Sequence, residues 1–283
     1  PSIPGFPSKA NTRYWEQYIR HLFTGASAPR HLRLAVTGAC PMAGSEQPAG
    51  GEEPALGRLI GEIRRHRDQG TSKITLCGGE PMLRRRELPA LLQAAGTDVE
   101  CWMETTGYDL TDDRARQLKA AGLTGLCIDL DYSHAEDCDR CRCYPGAFDW
   151  ALRAAVAGRR AGLVTCLNFH ATRANVSPEH LEQYFDLAGK VGAAFVQLLD
   201  PPEPAPAARR LSEGQYDLLE AAALLYNSDP AYAAYPIVDY AGYDRRRRRN
   251  LVADLYVDPD GIEDGEAIPA SGLKVPEAEL VEG

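Results

Sequence analysis

The residues with most chemistry in this chain are its eight cysteines and one glycine-rich corner. Cys77, Cys101, Cys127 and Cys166 fall inside apolar runs, where a small side chain packs well. The other four fall where such runs end: Cys40 after the first, and Cys138, Cys141 and Cys143 after the fourth. In a chain that reads as cytosolic, a thiol is a buried hydrophobe, a nucleophile or a metal ligand rather than half of a disulfide. His134, Cys138, Cys141 and Cys143 lie within one short stretch, and three thiolates there could hold zinc or an iron–sulfur cluster, with Arg140 and Arg142 lowering the thiol pKa values. C-x2-C-x-C is a weak signature, however, and coincidental cysteines on a reduced loop account for it equally well. The corner is Gly78-Gly79-Glu80-Pro81, which ends the apolar run Ile74–Cys77. Two glycines let backbone approach a ligand without an intervening Cβ, Glu80 supplies one fixed acid, and Pro81 removes an N–H and stiffens the exit. A zwitterionic small molecule suits such a rim; an ordinary strand-to-helix turn is the plainer account.

Six strand-like runs position these groups, at 32–37, 74–77, 99–103, 125–130, 163–169 and 194–199. They are short and rich in Val, Ile, Leu, Phe and Cys, as buried parallel strands are. Amphipathic stretches separate them. Leu56, Leu59, Ile60 and Ile63 mark one helical face, and Leu152, Ala155 and Val156 another. Thr111-Asp112-Asp113 and Ser177-Pro178-Glu179 place capping side chains ahead of acids or proline, which predicts helix starts. Alternating β and α implies an α/β fold with a parallel sheet, either open and doubly wound or curled into a barrel, its ligands at the carboxyl ends of the strands. His170 follows the fifth strand and is either a substrate contact or a hydrogen-bonded structural histidine. Tyr14, Trp15, Tyr18 and Phe23 predict an N-terminal helix packing onto the core.

A chain of 283 residues with 44% hydrophobic content can bury one large core. No apolar run is long enough to cross a bilayer, and Pro1–Ala10 lacks a secretory pattern, so a cytoplasmic protein is expected. A net charge of −9 argues against nucleic acid as a partner, and the run Arg245–Arg249 reads as a solvated or salt-bridged stretch.

Gly78-Gly79-Glu80-Pro81 after the second strand of a βα series resembles the radical SAM superfamily, and the likeness covers most of the chain. Leu34–Pro41 resembles its first strand and first cluster cysteine, Cys40, and Glu104-Thr105-Thr106-Gly107 its third strand end. Asp129-Leu130-Asp131, Tyr144–Phe148, 168–175, Val196–Pro201 and Tyr256–Gly261 resemble the branch that matures peptides and natural products. The resemblance implies a partial (β/α)6 barrel with parallel strands over 31–202, flanked by an N-terminal helical extension over 1–30 and a helical and irregular one over 203–283. It implies S-adenosylmethionine beside a [4Fe-4S] cluster. Gly78, Gly79 and Glu80, with Pro81 behind them, would hold the methionyl amino group, Glu80 by a charge-assisted bond. Thr105, Thr106, Asp129, Asn168 and Leu199 match the positions for ribose, carboxylate and adenine. The implied activity is reductive cleavage of S-adenosylmethionine to modify a peptide or small natural product, with an electron donor as partner.

The family spaces its cluster cysteines C-x3-C-x2-C, and here only Cys40 is present; Gly44 and Gln47 stand at the other two places. Three thiolates are needed to leave one iron open for the cofactor. The sequence leaves three accounts open: a degenerate member doing polar alkyl transfer or only binding a partner, a cluster moved to Cys138, Cys141 and Cys143, or a stretch after Met42 absent from this sequence.

Overall fold

The structure is a computed structural model that describes residues 31–42, 53–201 and 209–240, the backbone of 255–257 and 263–264, and residues 9, 12, 15 and 16. Tyr14, Tyr18, Phe23 and Arg245–Arg249 lie outside the described residues; Trp15 is helical and 45% exposed.

The chain alternates strands and helices: β1 (His31–Thr37), α1 (Leu56–Gln69), β2 (Lys73–Gly78), α2 (Leu88–Ala95), β3 (Glu100–Thr105), α3 (Asp112–Ala121), β4 (Leu123–Asp129), α4 (Ala135–Cys141), α5 (Ala147–Arg160), β5 (Val164–His170), α6 (Pro178–Val191), β6 (Phe195–Leu199), α7 (Glu213–Ser228) and β7 (Ile237–Tyr240). All six expected strands are present within two residues of their expected limits. Three more join them. β7 pairs parallel with β6, β8 (Leu255–Val257) pairs parallel with β1, and β9 (Glu263–Asp264) pairs antiparallel with β8. The sheet runs β7-β6-β5-β4-β3-β2-β1-β8-β9, an open, incomplete barrel that extends past residue 202 into the expected C-terminal extension. Two, three or four residues are too few for a periodicity signal, which is why the sequence does not announce these edge strands.

Alternation fixes the faces. Leu32, Leu34, Val36, Ile74, Met103, Leu126, Ile128, Leu167, Phe169, Val196 and Leu198 are fully buried under the helices. The opposite, inner face carries polar groups: Arg33 pairs with Glu104 at 2.5 Å, Lys73 lies over the Trp102 ring, and His31 bonds Thr75 at 2.8 Å. Gly125 is needed where Trp102 crosses β4, because a Cβ there would meet the indole at 2.5 Å. The expected helix starts hold: Thr111 accepts from the Arg114 N–H at 3.4 Å, and Ser177 from the His180 N–H at 3.2 Å. No helix among the described residues is long and apolar enough to cross a membrane.

Candidate active site

The parallel strands β1 to β8 point their carboxyl ends to one rim, and the glycine corner sits there between β1 and β3. Its first task is internal. Gly79 N–H donates to the Thr37 carbonyl at 2.7 Å and Glu80 N–H to the Ala39 carbonyl at 2.7 Å, so the backbone leading to Cys40 is laced to the end of β2. A Cβ on Gly79 would lie 2.1 Å from the Ala39 oxygen; one on Gly78, where φ is +116°, would lie 2.3 Å from the Thr37 oxygen. The glycines are therefore required by the approach of two backbones, a constraint that resemblance to a ligand rim does not distinguish. Gly79→Ala is expected to cost about 1–3 kcal/mol of stability by overpacking; an unchanged urea midpoint would show that the corner relaxes freely.

Glu80 is fully buried, and its carboxylate accepts four hydrogen bonds. Oε1 accepts from Met82 N–H at 2.9 Å and from the Thr105 hydroxyl at 2.8 Å; Oε2 accepts from Thr106 N–H at 2.8 Å and the Thr106 hydroxyl at 2.6 Å. A carboxylate has about four lone-pair sites, and these donors occupy them. In this structure Glu80 clamps the end of β2 to the end of β3. Burial pushes its carboxyl up, against the pull of the Thr106, Met82 and Thr105 donors. Thr105 and Thr106, both buried, spend their hydroxyl protons on Glu80, and Pro81 is buried beneath the corner.

The groups left facing the rim are fewer. Gly78 is exposed, Gly79 and Leu199 are partly exposed, and the Asp129 side chain is 15% exposed. Asp129 Oδ1 accepts from Asn168 Nδ2 at 3.1 Å, and its Oδ2 lies 3.8 Å from Arg142 Nη1. Burial pushes the Asp129 carboxyl up, with His170 and Arg142 pulling it back.

Beside Asp129 is a polar cluster that the sequence does not announce as such. Asp131 Oδ2 accepts from Arg142 Nη2 at 2.6 Å; its Oδ1 accepts from the His170 N–H at 3.0 Å and from His170 Nδ1 at 2.8 Å. Asn175 Nδ2 donates to the carbonyls of Asp131 at 3.2 Å and His170 at 2.9 Å, fixing the turn after β5. Burial alone would push the Asp131 carboxyl up, but Arg142 and His170 reverse this and hold it well below the usual carboxylate range. His170 is thus tied to Asp131, its imidazole pKa raised because Asp131 and Asp129 outweigh burial. The available signal was topological: Asp129 pairs with Asn168 across β4 and β5, which brings Asp131 and His170 to neighbouring strand ends.

The metal expectations do not converge in space. Cys138 is buried on the core side of α4, Cys141 is half-buried at its end, and Cys143 is exposed in a left-handed turn with φ +49°. No group of three His, Cys, Asp or Glu side chains among the described residues could hold a metal ion, which removes the relocated site. Burial pushes the thiols of Cys138 up to about 12 and Cys141 up to about 11, outweighing Arg142. Arg140 pairs instead with Asp137 at 3.1 Å. Cys40 is 3% exposed, and burial pushes it up to about 11.

Comparison with known proteins accounts for this arrangement. The family model described as the radical SAM superfamily matches residues 39–188. An "AdoMet-dependent heme synthase" of Oleidesulfovibrio alaskensis is 29% identical over 181 residues, covering 62% of this chain and 46% of that protein. The chain thus spans about half the length of that curated relative. Among solved structures, Streptococcus suis SuiB bound to precursor peptide SuiA superposes with a TM-score of 0.67 at 11% identity, over 92% of this chain and 64% of SuiB. AnSMEcpe with bound AdoMet gives 0.64 at 13% identity, over 84% of this chain and 74% of that one. With the family model matching more than half of its residues, the chain belongs to the radical SAM superfamily.

Proposed function

We propose that this chain binds S-adenosylmethionine across the carboxyl ends of β1 to β6 and serves the modification of a peptide or small natural product. The observation that carries the reading is the corner in which Glu80, fully buried, joins the ends of β2 and β3 while Gly78 and Gly79 leave backbone at the rim. Such a corner leaves Gly78 exposed at the rim, with its backbone within reach of a ligand ammonium. Asp129, held by Asn168, is the acceptor we assign to the ribose hydroxyls, and Leu199 the apolar contact for adenine. Asn168 acts through Asp129. Peptide or natural-product substrates are supported by likeness to SuiB with its precursor peptide and to a PqqA peptide cyclase of Methylocella silvestris.

The test is calorimetric titration of S-adenosylmethionine into the full chain. Asp129→Asn is expected to weaken binding about tenfold, the loss of a hydrogen bond to a charged acceptor worth about 1.5 kcal/mol. Equal affinity in the two proteins, with unchanged melting, would remove Asp129 from the site.

Members of the family use S-adenosylmethionine together with a [4Fe-4S] cluster. The cofactor's side of that pair suits the residues here; the cluster's side does not. Cys40 is buried just after β1, and the seven other cysteines lie in β2 to β5 or on and just after α4. A second reading follows from that donor set, in which S-adenosylmethionine is held for polar alkyl transfer or as part of a partner-binding surface. Chromatography of incubated cofactor separates them: S-adenosylhomocysteine or methylthioadenosine marks polar transfer, unchanged cofactor marks binding, and 5′-deoxyadenosine marks reductive cleavage.

A further inference from the structure

We infer that this chain keeps the family's scaffold for S-adenosylmethionine but assembles no [4Fe-4S] cluster, and that thiols lacking at positions 44 and 47 are the whole of the difference. The inference rests on the cofactor reading above and deepens it. A cuboidal cluster is held by cysteine thiolates, and leaving one iron open for a substrate still takes three of them. The sequence has eight cysteines, all within the described residues. Residues 43–52 read Ala-Gly-Ser-Glu-Gln-Pro-Ala-Gly-Gly-Glu and contain neither cysteine nor histidine. Carboxylates and amides are hard oxygen donors, matched to magnesium or calcium rather than to iron–sulfur chemistry.

The remaining thiols are committed elsewhere. Cys101 lies in the core with its Sγ 4.0 Å from the Val99 carbonyl, and Cys166 lies 3.8 Å from the Leu167 carbonyl. Cys143 donates to the Arg140 carbonyl at 3.6 Å from the outer side of the turn. No three of these groups converge among the described residues. Cys40 itself is packed in the core cluster with Met42 and Met82, the setting of a structural thiol rather than of a thiolate ligand. Both ends of the segment after it are nonetheless firmly seated. Ala39 N–H donates to Thr37 Oγ1 at 3.1 Å, the Thr37 hydroxyl donates to Glu53 Oε1 at 2.6 Å, and Arg84 Nη1 donates to the carbonyls of Val36 and Pro54, each at 2.7 Å. The described residues on either side of 43–52 are therefore held in place, and what the chain lacks is donor atoms.

The experiment uses the full chain and a double variant, Gly44→Cys with Gln47→Cys, which writes the C-x3-C-x2-C spacing into the same scaffold. Both are incubated anaerobically with ferrous iron, sulfide and thiol, desalted, and assayed for iron and acid-labile sulfide, with S-adenosylmethionine affinity measured separately by calorimetry. The expected result is less than one iron per wild-type chain and about four per variant chain, brown in the visible. The Cys40→Ala change placed in the double variant should abolish that iron, while in the wild type it should leave S-adenosylmethionine affinity within twofold. Stoichiometric cluster in the wild type would overturn the inference, and so would absence of iron from both proteins, because the missing thiols would then not be the difference. Failure of the cofactor to bind wild type, with the iron result as expected, would sink the cofactor reading and leave the donor inference standing.

Discussion

Glu80→Gln is expected to destabilise the chain by about 3–5 kcal/mol without changing its shape. The substitution is nearly isosteric, so its cost is one of hydrogen bonding. Each oxygen of the buried carboxylate accepts from one backbone N–H, Met82 for Oε1 and Thr106 for Oε2. The Thr105 and Thr106 hydroxyls can rotate, but the two N–H groups cannot. Whichever way the glutamine amide turns, its NH2 meets one of them, leaving two donors face to face and a buried N–H unpaired. That group forfeits a bond to a charged acceptor, worth about 1.5–3 kcal/mol, and adds a desolvation penalty of similar size. Urea unfolding followed by far-ultraviolet circular dichroism measures the loss. If Glu80 instead served a ligand ammonium, the glutamine variant would unfold at the wild-type midpoint and lose only cofactor affinity; that outcome would reverse the assignment.

The case of Glu80 shows what a sequence can and cannot carry. The residue type and its place after two glycines were legible, because an apolar strand that stops on Gly-Gly-Glu-Pro has little else to be. The count of its partners was not. Three of its four donors belong to Thr105 and Thr106, 25 and 26 residues downstream, and reach it only because β2 and β3 pair in register from Lys73 with Glu100 to Leu76 with Met103. The same limit applies to the cysteines. Cys138, Cys141 and Cys143 are close in sequence, but an α-helix turns about 100° per residue, so α4 sends Cys138 into the core and leaves Cys143 beyond its end. The parallel strands, in contrast, were legible because each packs a fully buried face of Val, Ile, Leu, Met or Phe under the helices, which leaves a short run rich in those residues. β7 was not, since its four residues Ile-Val-Asp-Tyr form an edge with Ile237 57% exposed.

Asp131→Asn is expected to cost about 3–5 kcal/mol near neutral pH, since removing one partner of a buried ion pair strands the other. Arg142, 6% exposed, would keep only Asp129 at 3.8 Å, and His170 would lose the carboxylate that holds its Nδ1. The pH dependence separates this cluster from a generic packing defect. Asp131 has its pKa lowered in the folded state, so its contribution is present above the unfolded value, about 3.9, and is lost as pH falls through the folded one. His170 has its pKa raised, so its contribution is complete below about 6.5 and is lost as pH rises through the folded value. The groups facing His170 are Asp131, Asp129 and Arg142, and the first two carboxylates dominate. Wild-type stability relative to Asp131→Asn should therefore be greatest from about pH 5 to 6.5 and shrink as pH rises through the raised folded-state pKa of His170. Urea midpoints measured across that range give the difference, and proton magnetic resonance of the imidazole gives the cause: His170 should titrate above its ordinary value in the wild type and fall toward or below it in the variant. A difference in midpoint that does not change as His170 titrates, with His170 titrating identically in both proteins, would show that Asp131 acts through Arg142 alone.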